Sequence, residues 1–444
     1  MDNEIRTVKR PDGETERLQI VRLPDWQSPE FFRPQPARDP LPGLLRIYRR
    51  FIVPAFPAAF RRMVLLRSPG DARMPGGKNG CEDAEARLLA AAGVLREGLR
   101  LVRSKPRFRT EKARALWEEL SAAGRLGTVC GKLPFTQIIP VSENMGFLSE
   151  SEKEARLKVN ASFFIMDPFD CASPYDSVGT PFGLCVKSGE ILSPPLYGRE
   201  ALIVRGNGRV SVEKPSLGSL VIEIGGKTFS AGKNAEILAR PDFRMTARGK
   251  VTEAAIIGRK VIAVSDRGSL PVPAAGFVLR SPELAGISEG AEVRYHGLED
   301  VTFGIQAGSS LLRDGERSGR FLSPFYNVRG LSRTAFPPSL YPLNYEKDRA
   351  ARIALGADKD GSPVLLWAEG APKVGARKGV TSCGASLSET EEYCEAAGMV
   401  NAVNLDGGGS AQILLEGRRD LELSDRKEDG SEQERPVPLG LIVR

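Results

Sequence analysis

Residues 404–410 read Asn404-Leu405-Asp406-Gly407-Gly408-Gly409-Ser410. Aliphatic runs flank them, Met399-Val400-Asn401-Ala402-Val403 before and Ile413-Leu414-Leu415 after. Both runs are short, so the pattern reads strand, glycine loop, strand. A phosphate-binding loop or a dinucleotide fingerprint would open a helix instead. Glycines let the backbone turn tightly and bring its N–H groups close to a ligand. Asp406 is thereby presented at the rim of a sheet. An Asp-Gly hairpin turn is the plainer alternative. A hairpin needs only one or two special residues, however, and three glycines in a row weaken a loop with no gain in folding.

Working outward, the 444-residue chain is long enough for a large core and two or more structural units. Its 47 glycines and 32 prolines favour many short strands and turns over a helical bundle. The net charge of +7 permits an anionic substrate but does not by itself indicate nucleic acid. His296 is the only histidine. That nearly excludes a Ser-His-Asp or Cys-His site, a His-ligated zinc and a histidine proton relay. His296 reads as a structural or surface residue near a strand end, so acid–base chemistry falls mainly to carboxylates. The six cysteines form no C-x-x-C pair. Residues 1–40 show no secretory signal, so reduced thiols and a cytoplasmic setting are the default expectation. No cofactor is expected; a calcium ion held by carbonyls would have a purely structural role.

Along the chain, residues 1–80 are rich in Pro and Arg and predict an irregular extension. Within it, residues 44–67 carry six arginines and no acidic residue. They could make peripheral contact with an anionic membrane. Packing across the main domain is the favoured reading, because Pro54 and Pro57 interrupt any continuous amphipathic helix. Residues 81–126 predict a helical hairpin, with Leu88, Ala92, Leu95, Leu99 and Val102 on one helical face. From 127 to 444 short strands with turn signals recur. Ser149-Glu150-Ser151-Glu152 predicts a capped short helix, and Ser386-Leu387-Ser388-Glu389 caps a second helix ending at Gly398. The expected class is α+β, a mixed α/β arrangement with a strand-rich main domain behind the hairpin and the extension.

Several polar residues at strand ends could converge on the glycine loop. Asn160 opens Asn160-Ala161-Ser162-Phe163-Phe164. Arg352 lies in the apolar strand Arg352-Ile353-Ala354-Leu355-Gly356 and should have an anionic partner, because an unpaired buried charge is costly. Thr381 precedes the capped helix, and Arg435 precedes the C-terminal strand 439–443.

The order of these blocks, with Gly183–Glu190, Gly379–Thr381 and the ending Glu434-Arg435-Pro436-Val437, resembles the phosphodiester glycosidase family over roughly residues 127–444. The resemblance implies hydrolysis of a sugar-1-phosphodiester, with a sugar-phosphate or glycan as substrate and no nucleic acid. It points to Asn160, Arg352, Asp406, Gly407, Gly408, Gly409 and Ser410 as pocket residues. The chain departs from the family pattern at Ala411, which stands for a second serine, at Ile353, which stands for a threonine, and at Glu369-Gly370-Ala371, which replaces Asp-Gly-Arg. Cleaving an anomeric C–O bond builds oxocarbenium-like charge that a carboxylate stabilises. Asp406 is the first candidate and Glu369 the second. The phosphate side needs cations and N–H donors, for which Arg352, Arg435 and the Gly407–Gly409 amides are the candidates. A non-catalytic glycan- or phosphosugar-binding protein on the same scaffold is the alternative. A metal-assisted phosphodiesterase is disfavoured, since clustered His and Asp ligands are missing.

Overall fold

The computed structural model describes residues 1–34, 145–165, 179–319 and 348–444, apart from Phe182, Pro241, Ala307, Lys373 and Glu428, together with Ser173 and Tyr175. The expected helical hairpin at 81–126 and the arginine-rich stretch 44–67 lie outside the described residues. Among those described, five sheets stand against a single α-helix, Leu387–Ala396. The expected α+β class is therefore corrected to a mostly-β architecture. One cause is the box at Ser149–Glu152, which closes a turn and starts no helix. The N–H groups of Glu150 and Ser151 return to the carbonyls of Phe147 and Leu148, and Glu152 turns left-handed at φ 44°. The second box behaves as expected. Ser386 and Glu389 cap each other's backbone N–H at the start of the helix, and Gly398 follows its end at φ 82°.

The largest sheet has seven strands in the order Asp2–Lys9, Thr15–Arg22, Pro363–Ala368, Arg352–Asp358, Met399–Asn404, Ser310–Arg313 and Glu316–Arg317. Every pairing in it is antiparallel, with Leu18 opposite Ala368, Arg352 opposite Ala368 and Ala354 opposite Asn404. Side chains alternate between its faces. One face puts Ile353, Leu355, Leu365, Trp367 and Val403 into the main core with Leu157, Val159, Ile413 and Leu441. The other puts Ala354, Leu366, Ala368 and Ala402 against Tyr393 and Cys394 of the helix.

The expectation of an irregular N-terminal extension is corrected over residues 2–32. Two strands form a hairpin through Gly13 (φ 80°), and the second of them is interior to the seven-stranded sheet. The alternation Leu18, Ile20 against Gln19, Val21 was a strand signal, but charged residues at neighbouring positions hid it. Glu30–Phe32 joins a second sheet, in the order Ile413–Leu415, Leu157–Asn160, Gly440–Val443 and Glu30–Phe32.

This arrangement decides the character of the glycine loop. The strand before it, Met399–Asn404, belongs to the seven-stranded sheet, and the strand after it, Ile413–Leu415, belongs to the four-stranded one. The loop is thus a crossing between two sheets and not a hairpin turn.

Candidate active site

Each of the three glycines answers a separate steric demand. A Cβ on Gly407 would stand 2.6 Å from the Ala351 carbonyl oxygen. Gly408 has φ 58°, a left-handed conformation that side chains rarely adopt. A Cβ on Gly409 would overlap the carboxylate of Asp425 and the guanidinium of Arg435. The loop is pinned from both sheets. Leu405 donates its N–H to Ile353 O at 2.8 Å, Gly408 to Ala351 O at 2.8 Å and Asp406 to Ala161 O at 3.2 Å. Asn160 spans the loop: its Nδ2 donates to Asp406 O at 2.6 Å, and its Oδ1 accepts the Gln412 N–H at 3.0 Å. Its amide is spent on holding the two ends of the loop together.

Asp406 keeps partial exposure as a residue, yet its Oδ2 is fully buried with no hydrogen-bond partner among the described residues. Oδ1 accepts the Gly407 N–H at 3.0 Å. Burial pushes the carboxyl up to about 7, against the pull of the Ser410 hydroxyl, the Arg435 charge and the Gly407 amide. Ser410 Oγ is near enough to favour the charged carboxylate but meets no partner at full hydrogen-bond geometry. Orphaned polar atoms concentrate here: Asn404 Oδ1, Gln412 Oε1 and Ser162 Oγ join Asp406 Oδ2 and Ser410 Oγ. Buried polar groups are ordinarily paired, so such a concentration on one loop is a mark of a ligand site.

Arg435 lies against the loop at Gly409. Its Nε and Nη2 reach Asp425 Oδ2 at 3.0 and 2.7 Å, and its carbonyl accepts from Gln412 Nε2 at 3.2 Å. Asp425, 8% exposed, was not a candidate from the sequence. Ser424-Asp425-Arg426 lies in a polar loop without a motif, and only the pairing across ten residues brings it to the glycines.

The structure thus gathers Asn160, Asp406, Gly407, Gly408, Gly409, Ser410 and Arg435. The other candidates go elsewhere. Arg352 is 2% exposed and shares the parity of Ala354, on the helix side of the sheet. Its Nε donates to Ala385 O at 2.9 Å and its Nη2 to Asp348 O at 2.8 Å. Thr381 closes a local turn with Arg377, whose N–H and carbonyl both meet its hydroxyl. Glu369 is taken up by three donors, Ser382 Oγ at 2.5 Å, the Glu422 N–H at 2.7 Å and Arg17 Nη1 at 3.2 Å. That set makes it a latch between the N-terminal hairpin and the 420s segment. Of the glycine amides, Gly407 and Gly408 are committed within the protein, and Gly409 N–H alone meets no acceptor among the described residues. Ala411 and Ile353, two of the departures from the family pattern, are packed into the main apolar core.

A family model described as phosphodiester glycosidase matches residues 202–444. The N-acetylglucosamine-1-phosphodiester alpha-N-acetylglucosaminidases of Mus musculus and Homo sapiens are 36% and 38% identical to this chain over 80 residues. Those residues are 18% of this chain and 14% of either relative. Among solved structures, a hypothetical protein from Synechocystis overlaps all of this chain and 62% of its own, at 16% identity and TM-score 0.45. The catalytic domain of the zebrafish N-acetylglucosamine-1-phosphodiester alpha-N-acetylglucosaminidase overlaps 56% of this chain and 88% of its own, at 17% identity and TM-score 0.25. Overlaps this loose carry no functional weight.

Proposed function

This chain belongs to the phosphodiester glycosidase family, and on that premise we propose that it hydrolyses a sugar-1-phosphodiester at the anomeric C–O bond. The observation that carries the reading is the buried, unpartnered Oδ2 of Asp406 on a loop whose glycines exclude side chains from around it. In the proposed reaction, water adds to C1 while the bond from C1 to the phosphate oxygen breaks. The leaving phosphomonoester takes the bonding electron pair, and the ionised carboxylate of Asp406 takes the proton from water. The same carboxylate offsets positive charge building on the sugar ring. A carboxyl poised at about 7 can accept and release that proton near neutral pH.

Arg435 supplies positive charge on the phosphate side, with its fork held by Asp425. The Gly409 N–H is the loop's proposed donor to a phosphate oxygen, narrowing the three-amide nest to one amide. Arg352 and Asn160 act as positioning residues, through the main chain at Ala385 and at the two ends of the loop.

The test is turnover of N-acetylglucosamine-1-phosphodiesters by the purified chain and by Asp406→Asn. The variant should lose roughly 10²–10⁴ in kcat, the range for a positioned acid–base group, while keeping the melting temperature of the parent. Full activity in Asp406→Asn ends the mechanism. Saturable binding of the diesters with no turnover in the parent assigns the chain to sugar-phosphate binding instead.

A further inference from the structure

A cavity of about 510 Å³ opens beside the loop, behind the hairpin formed by Ser310–Arg313 and Glu316–Arg317. We propose that it binds the aglycone of the diester, and that this aglycone is a polyhydroxylated group of one or two sugar rings. The inference rests on the hydrolysis proposed above.

The lining decides the chemical class. Arg199, Glu200, Ser309, Ser310, Arg313 and Ser318 are among its residues, and none of its residues is aliphatic or aromatic. Three arginines are balanced by two glutamates and one aspartate. A site for a second phosphate would carry an excess of positive charge. A balanced set of hydroxyls, carboxylates and guanidiniums suits neutral hydroxyl groups, which donate and accept at once. The volume lies within the range of small-ligand pockets, about 300–1,000 Å³.

The walls are fixed. Arg199 is 1% exposed. Its Nη2 donates to Gly308 O and lies 3.4 Å from Ser309 Oγ, and its carbonyl accepts from Gln306 Nε2 at 2.9 Å. Ser318 Oγ and Ser310 Oγ pair at 2.8 Å across the hairpin, whose turn Asp314-Gly315 takes φ of 50° and 84°. Arg317 ties the hairpin to Glu392 and Glu395 of the helix. Arg313 is exposed and makes no ion pair among the described residues, leaving its guanidinium available to a ligand.

The position decides which part of the substrate enters. Ser309 O accepts the Asn404 N–H at 2.9 Å, and Gly308 donates to Asn404 O at 2.8 Å. Asn404 stands two residues before Asp406. Two residues along a strand and one step across it amount to about 9 Å, a span that a phosphate and the start of a second sugar ring can bridge.

The experiment compares two substrates with the same donor, the methyl diester of N-acetylglucosamine-1-phosphate and the diester whose second ester is a hexose. In Glu200→Gln and in Arg313→Ala, the ratio of kcat/KM for the hexosyl over the methyl diester should fall at least fivefold, through KM for the hexosyl diester. An unchanged ratio in both variants overturns the inference while leaving the hydrolysis reading intact. A ratio that falls only when the second ester carries a further phosphate also overturns it, in favour of an anion site. If the parent turns over neither diester, the hydrolysis reading fails and calorimetric titration with the hexosyl diester decides the cavity. Saturable binding weakened by both substitutions keeps the cavity as a polyol site, and no binding overturns it.

Discussion

Two buried carboxylates on the seven-stranded sheet invite comparison. Asp406 is pushed up to about 7 and Glu16 to about 8, both chiefly by burial. Each leaves one oxygen without a hydrogen-bond partner. Around Glu16, however, the surroundings are closed. The residue is fully buried, the Cys383 thiol donates to it at 3.6 Å, and the negative charge of Glu369 adds to the upward push. The Cys383 thiol is itself raised, by burial and then by Glu16, so it stays protonated. Asp406 sits instead on a rim cleared by glycines, beside a second ion pair and next to a polar cavity. A perturbed carboxyl alone therefore does not mark a site; access for a ligand separates the two.

The comparison is broken or sharpened by three substitutions. The largest effect is expected from Gly409→Ala. Its methyl group would force the Arg435–Asp425 pair off the loop, costing about 1–3 kcal/mol of stability and at least tenfold in turnover. Thermal unfolding and diester kinetics read both, and a parent-like result in each would mean that the glycine rim is not needed.

Glu16→Gln comes next, and it should stabilise. In the unfolded chain Glu16 loses its proton near its ordinary value, whereas in the folded chain it keeps the proton to about 8. The folded state binds more protons across that window, so stability falls as pH rises through it. Half of that shift, at about 1.4 kcal/mol per unit, corresponds to about 2 kcal/mol. The variant should melt higher than the parent at pH 9 and alike at pH 4, with turnover of the diesters retained. A variant that melts lower at pH 9 would assign Glu16 a stabilising charge.

The smallest effect is on the pH profile. Activity that requires ionised Asp406 should rise with pH through about 7. In Arg435→Gln the residual activity should rise at higher pH, by up to about one unit, because the Arg435 charge favours the carboxylate. An unmoved limb would mean that another group controls the rate.

Much of the site was legible because its signals are local. The strand–glycine–strand pattern located the loop, the block order located Asn160 and Arg435, and the Ser386–Glu389 box located the described helix. Other expectations failed where one residue type serves two purposes. Arg352 was expected to face an anion and instead bonds to main-chain carbonyls on the helix side of the sheet. Glu369 was a candidate second carboxylate and is a latch. Strands near the N-terminus were masked by charged residues on a half-exposed hairpin.

The sequence by itself determined that a carboxylate would be carried on a glycine loop between two strands, and that histidine chemistry was excluded. Composition and short-range spacing settle such points, because they depend on backbone freedom and on which groups exist. Only the tertiary structure decided that the two strands belong to different sheets, that Asp425 clamps Arg435 against Gly409, and that Ala411 and Ile353 face the core. Those depend on pairings between residues far apart in the chain, and on which way each side chain alternates once the register is set.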